Sequence, residues 1–157
     1  MNMITKEGLI GQLREKGLKL TPQRLAIVDA LVENRHLHPG AHLIYTEATK
    51  RTKSVSLSTV YATLGEFAQQ GLIKFLEFDR MDNRYEGNLE EHINLVCRRC
   101  GKIIDYHIPP SIEPKDIARE LGFVVTDTRM EYYGYCRDCL AQPKEVMAGG
   151  QTRDQDG

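Results

Sequence analysis

Residues 54–86 read SVSLSTVYATLGEFAQQGLIKFLEFDRMDNRYE. Leu57, Val60, Leu64 and Phe67 recur at helical spacing, so the stretch opens with an amphipathic helix over roughly 57–70, ended by Gly71. Two β-prone runs follow, Leu72 to Phe78 and Asn83 to Glu86, separated by the turn-forming Asp79-Arg80-Met81-Asp82. A helix that feeds a hairpin is the closing part of a winged helix-turn-helix, a fold that offers its last helix to the DNA major groove.

The residues upstream supply the rest of that unit. Segment 5–16 carries Leu9, Ile10 and Leu13 and stops at Gly17. Thr21-Pro22 is an N-cap followed by proline at the first helical position, and the helix it starts runs to about Asn34 with Leu25, Val28, Leu31 and Val32 on one face. The loop Arg35 to Gly40 leads to a third helix over roughly 41–50. Downstream, the pattern changes at Gly87-Asn88, where we place a hinge (87–88) between a first domain, 1–86, and a second, 89–142. In the second domain Ile93 to Val96 and Lys102 to Ile108 read as strands and Pro109-Pro110 as a break. A short helix over 113–121 and a long strand from Phe123 to Tyr135 complete it. The polar, Gly-rich tail 143–157 is expected to be disordered. The expected fold class is α+β: a winged helix-turn-helix domain followed by a small α/β domain.

Composition narrows the class. With 41% hydrophobic and 27% charged residues the chain has the balance of a soluble globular protein. No apolar run nears the roughly 20 residues of a membrane span, and the start lacks an apolar leader, so the expected compartment is the cytoplasm. Residues 1–80 hold 11 Lys/Arg against 8 Asp/Glu, and residues 81–157 hold 10 against 14. A basic front and an acidic rear point to two parts with different tasks.

All four cysteines, Cys97, Cys100, Cys136 and Cys139, lie in the rear half as two Cys-x-x-Cys pairs. One tight turn per pair offers two thiolates to an ion, and Zn²⁺ takes four of them tetrahedrally, leaving no open position for catalysis. The reading is a structural zinc that ties the last strand to the first. The competing reading is two redox dithiols, but a thioredoxin-type pair opens a helix whereas these flank strands.

Near the start of the 57–70 helix, outside its apolar stripe, lie Ser56, Ser58, Thr59, Tyr61, Ala62 and Thr63. Hydroxyls suit phosphate contacts, and a tyrosine suits apolar contact with thymine methyls. Lys19, Arg24, Lys53 and Arg80 are candidates for holding phosphates. The competing picture is a small helical bundle with ordinary surface residues.

Thr21-Pro22-Gln23-Arg24, Ser58-Thr59-Val60-Tyr61, Gly71-Leu72-Ile73 and Cys97-x-x-Cys100-Gly101-Lys102, in this order, resemble the ferric uptake regulator (Fur) superfamily over about residues 5–140. The superfamily includes iron, zinc and peroxide sensors. The resemblance implies a metal-dependent repressor rather than an enzyme. It also implies a homodimer on a palindromic operator, a C-terminal dimerisation domain, one structural Zn²⁺ per subunit on the cysteine pairs, and a regulatory Fe²⁺ or Mn²⁺ at the hinge. Matched residue by residue, the regulatory site falls on His38, Glu86, His92, Asn94 and Asp105. Its mixed N/O donors suit Fe²⁺ or Mn²⁺ better than a thiol-loving ion, and strand alternation puts His92 with Asn94 and Asp105 with His107 on shared faces.

This chain departs from the pattern in three places. Asn94 stands where relatives carry a second histidine and can ligate only through its weak carbonyl oxygen; the site is then four-coordinate in protein ligands, or recruits water, or uses His36 or His107 instead. Ala62 stands where relatives often carry Arg or Asn. Ile93, Ile112 and Thr128 occupy positions of a further family metal site. The run Lys102 to His107 is closer to the peroxide-sensing branch, while Glu86 is found among iron sensors; the balance leans to peroxide. Two readings of other classes stand beside this one: a zinc-stabilised adaptor that binds protein and not DNA, and a thiol oxidoreductase.

Overall fold

The computed structural model describes residues 3–107 and 112–142. The chain divides into two units after Glu90, just beyond the Gly87-Asn88 pair. The expected break at Pro109-Pro110 and the tail 143–157 lie outside the described residues.

The first unit contains four helices, α1 (Lys6–Glu15), α2 (Pro22–Glu33), α3 (Ala41–Thr49) and α4 (Leu57–Gln69), and a hairpin of β1 (Lys74–Leu76) and β2 (Arg84–Glu86). Local chemistry sets their ends. Thr21 caps α2 by accepting from the Arg24 N–H at 3.2 Å, and Ser56 caps α4 by accepting from the Thr59 N–H at 3.2 Å. Leu9, Leu13, Ile27, Leu31, Ile44, Leu64 and Phe67 from all four helices form one buried core. β1 and β2 pair antiparallel, Lys74 opposite Glu86. The wing turn is held by the Phe78 N–H donating to Asn83 Oδ1 at 3.2 Å. Gly87, next after β2, has no room for a side chain, since a Cβ would sit 2.5 Å from Ile4 Cγ1.

The second unit holds β3 (Ile93–Cys97), β4 (Ile103–Tyr106), α5 (Pro114–Leu121), β5 (Glu131–Gly134) and α6 (Arg137–Leu140). The sheet order is β4-β3-β5, with β4 antiparallel and β5 parallel to β3. Two strand expectations are corrected. Of the strand read over Lys102 to Ile108, whose last residue lies outside the described residues, Ile103–Tyr106 form β4, and the long strand read from Phe123 to Tyr135 shrinks to Glu131–Gly134. The reason is the partner: β5 pairs with Asn94 to Cys97, and β3 begins only one residue earlier, where the Met130 carbonyl accepts from the Asn94 N–H at 2.9 Å, so no ladder is available to residues 123–129. The turn of helix α6 after Cys136 was not read from the sequence.

Because Phe67 is fully buried in the core of the first unit, Phe67→Ala is expected to cost about 3–5 kcal/mol in urea unfolding of that unit, with the zinc content of the second unit unchanged.

Candidate metal centres and nucleic-acid face

The four cysteines converge. Their sulfurs all lie within 4.8 Å of one another, with Cys97 Sγ 3.8 Å from Cys139 Sγ and Cys100 Sγ 3.7 Å from Cys136 Sγ. A tetrahedron with Zn–S bonds of about 2.3 Å has edges of about 3.8 Å, whereas a disulfide needs about 2.05 Å; all four are free thiols. Backbone turns build the cradle. The Gly101 N–H donates to the Cys97 carbonyl at 3.0 Å, with Gly101 at φ 72, a conformation that suits glycine. Arg99 ties the two pairs together by donating to the Cys139 carbonyl at 2.9 Å.

The thiols differ in acidity. At Cys97 burial opposes ionisation, but N–H groups of Cys100, Cys136 and Arg99 and the Cys100 thiol hold it down at about 6. Cys139 is pushed up to about 12, by burial first and then by the thiols of Cys136, Cys100 and Cys97. Four clustered sulfurs cannot all ionise without a shared cation, and a dication removes that conflict.

The nitrogen and oxygen donors are arranged within each unit. In the first, His38 Nε2 lies 3.2 Å from Glu86 Oε1, with the residues 3% and 2% exposed. The wing holds His38 there: the Tyr85 N–H donates to the Pro39 carbonyl at 2.9 Å, and Arg84 Nη1 donates to the His38 carbonyl at 3.2 Å. His38 is the one described non-glycine residue with positive φ, at 49°. Such backbone at a buried histidine is the kind of local strain found at functional sites. In the second unit, Asn94 lies opposite Asp105 across the β3–β4 ladder, and His92 Nε2 is 3.9 Å from Asp105 Oδ1. Asn94 Oδ1 is buried and accepts no hydrogen bond among the described residues, as a carbonyl kept for a cation would be. These donors fit a hard or borderline divalent ion.

The residues expected to face DNA differ in exposure. Ser56, Ser58 and Tyr61 are exposed at the start of α4, and Thr59 is half-buried with its hydroxyl 2.8 Å from that of Ser56. Lys19, Lys53 and Arg80 are exposed. Thr63 is corrected: at 6% exposure it faces inward, one helical turn from Val60 and beside Leu64, as part of the core stripe. Arg24 is engaged within the unit, its Nη2 2.5 Å from Glu66 Oε2 and its Nη1 donating to the Lys19 carbonyl at 2.9 Å, which braces α2 against α4. Sequence reasoning missed His42, whose ring meets Tyr61 edge-on at 6.5 Å, and Arg84, whose bond to the His38 loop only the fold reveals.

The Ferric uptake regulator family model matches residues 15–133. This chain belongs to that family. It is 37% identical over 134 residues to the peroxide-responsive repressor PerR of Staphylococcus epidermidis, covering 85% of this chain and 89% of that protein. The Helicobacter pylori ferric uptake regulator, described with three functional metal-binding sites, superposes with a TM-score of 0.71 at 25% identity, over 90% of this chain and 99% of that one. The Campylobacter jejuni peroxide stress regulator does so with a TM-score of 0.60 at 30% identity, over 83% and 98%. The family fold, a winged-helix unit followed by a smaller α/β unit, is the fold seen here.

Cys100→Ser is expected to drop zinc from one equivalent per chain toward none, read by metal analysis after desalting. Chelation or acidification of the unmodified protein is expected to melt the second unit first, because protons and chelator compete for the sulfurs and the metal.

Proposed function

We propose that the protein is a metal-dependent transcriptional repressor that binds a palindromic operator as a homodimer, with a structural Zn²⁺ and a regulatory Fe²⁺ or Mn²⁺. The observation that carries this reading is the division of donors. One unit presents the buried His38–Glu86 pair, and the other presents His92, Asn94 and Asp105 on one sheet face. An ion that draws on both sets, acting about the Gly87-Asn88 hinge, couples its occupancy to the angle between the domains 1–86 and 89–142. In a dimer that angle sets the spacing of the two α4 helices, which must meet half-sites about 34–36 Å apart. Metal binding thereby shifts the population toward the DNA-competent shape.

Ser56, Ser58, Thr59 and Tyr61 at the start of α4 are the reading residues, and Lys19, Lys53 and Arg80 hold phosphates. The exposed apolar surface of the second unit favours a second copy as its cover. Leu121 is 78% exposed, Val124 74% and Phe123 62%, and α5 buries none of its residues. An uncovered apolar surface of this kind marks an interaction site. Relatives named for peroxide response favour a peroxide signal. In that reading His38 and His92 would hold an Fe²⁺ whose chemistry opens the O–O bond; peroxide is the oxidant, one of its oxygens going to a ring carbon of one of these histidines and the other leaving as water. Glu86 favours the second reading, an iron-responsive repressor. Binding to operator DNA places its action in the cytoplasm, and no helix among the described residues is long and apolar enough to cross a membrane.

In a gel-shift with operator DNA, Mn²⁺ is expected to tighten binding, and salt to weaken it. His92→Ala is expected to abolish the Mn²⁺ response and keep the zinc; an unchanged response contradicts the assigned site. After peroxide treatment of the Fe²⁺-loaded protein, mass spectrometry is expected to find one added oxygen atom on a peptide holding His38 or His92. A metal-dependent repressor that gains none is an iron sensor instead. Leu121→Asp is expected to shift sedimentation toward monomer and to lose operator binding together with the dimer.

A further inference from the structure

We infer that His107 is a direct ligand of the regulatory cation, completing a four-donor block on one face of the β3–β4 ladder; the inference rests on the regulatory site proposed above. The register carries it. Asn94 lies opposite Asp105 and Ile93 opposite Tyr106, where the paired register ends; continued one residue past the ends of β3 and β4, it brings His92 beside His107, whose rings are in contact. Alternation puts His92 and Asn94 on one face of β3, and Asp105 and His107 on the same face of the neighbouring strand. The four side chains thus form two adjacent cross-strand pairs, one imidazole pair and one amide–carboxylate pair.

Two spacings are compatible with a shared ion. The rings of His92 and His107 have centres 6.0 Å apart and are tilted by 44°. Two imidazoles bound to one ion at about 2.1 Å have centres about 4.5–6.5 Å apart, depending on the angle at the metal. His92 Nε2 and Asp105 Oδ1 are 3.9 Å apart, too far for a hydrogen bond. Donors that share an ion at about 2.1 Å sit about 3–4 Å apart. Asn94, 4% exposed, keeps a buried carbonyl oxygen that accepts no hydrogen bond among the described residues.

The chemistry explains why a further donor is needed. An amide oxygen is neutral and a weaker donor than imidazole, so Asn94 leaves the block one nitrogen short. His107 supplies it from the adjacent strand. Two imidazoles, a carboxylate and an amide oxygen make a set suited to Fe²⁺, Mn²⁺ or Co²⁺. His107 is exposed where His92 is buried, so the block opens to solvent at its histidine end and an ion can enter there.

The test uses the full-length, zinc-replete protein and Co²⁺ as the probe, followed by its visible d–d absorption. Loss of a partner one step outside a metal costs roughly 10–100-fold in affinity. His107→Ala is expected to cost at least that, with altered d–d bands and unchanged zinc content and circular dichroism. His107→Ala with unaltered Co²⁺ affinity and bands overturns the inference. His92→Ala, measured alongside, separates the two claims. If His92→Ala loses Co²⁺ and His107→Ala does not, only the role of His107 fails. If both variants bind Co²⁺ as the unmodified protein does, the proposed regulatory site itself fails.

Discussion

The antiparallel pairing of β3 with β4 positions the residues of both candidate metal centres in the second unit. At its turn end the Cys97 N–H bonds to the Lys102 carbonyl at 2.9 Å, and the tight turn between them presents Cys97 and Cys100 to the cysteine cluster. At its open end the same register lines up Asn94 with Asp105 and brings His92 to Asp105. A slip of one residue sends every side chain to the opposite face. It would scatter the sulfurs and the nitrogen and oxygen donors in a single step. The cysteine cradle therefore does more than hold β5 to β3. By fixing the turn, it fixes the phase of the ladder whose other end carries the proposed regulatory donors. Donor softness would separate the two proposed centres, with thiolates for zinc at one end and imidazole and oxygen for a harder ion at the other.

The first unit makes its contribution by different means. His38 lies in a short loop with left-handed backbone, a conformation that costs on the order of 1–3 kcal/mol. Two bonds from β2, through Tyr85 and Arg84, keep the loop in place. The strand that holds His38 also carries Glu86, so candidate ligand and support come from one hairpin. Gly87 follows where only a hydrogen fits against Ile4. The wing thus couples the helix-turn-helix to the donor pair without a long-range relay.

How legible each feature was in the sequence follows from how local its cause is. Helix starts at Thr21-Pro22 and Ser56 depend on bonds three residues long, and they are where the sequence puts them. The Cys-x-x-Cys spacing encodes two turns, and the sulfur cluster follows from bringing them together. Arg24 is bound by Glu66, 42 residues away, a partner that no local pattern reveals. Thr63 has a polar hydroxyl but occupies the inward position between Val60 and Phe67, so helix geometry outweighs residue type. The strand expected over residues 123–129 has suitable composition, but a strand exists only where a neighbour offers its hydrogen bonds, and β3 begins too late to offer them. For the regulatory donors, sequence alternation gave the shared faces, while the pairing of those faces needed the register.

X-ray absorption on protein loaded with Zn²⁺ and Mn²⁺ together tests the partition of donors most directly, because each metal is read at its own edge. The account predicts four sulfurs at about 2.3 Å around zinc, and around manganese only nitrogen and oxygen with imidazole scattering. Sulfur at the manganese edge, or nitrogen and oxygen in the zinc shell, contradicts it.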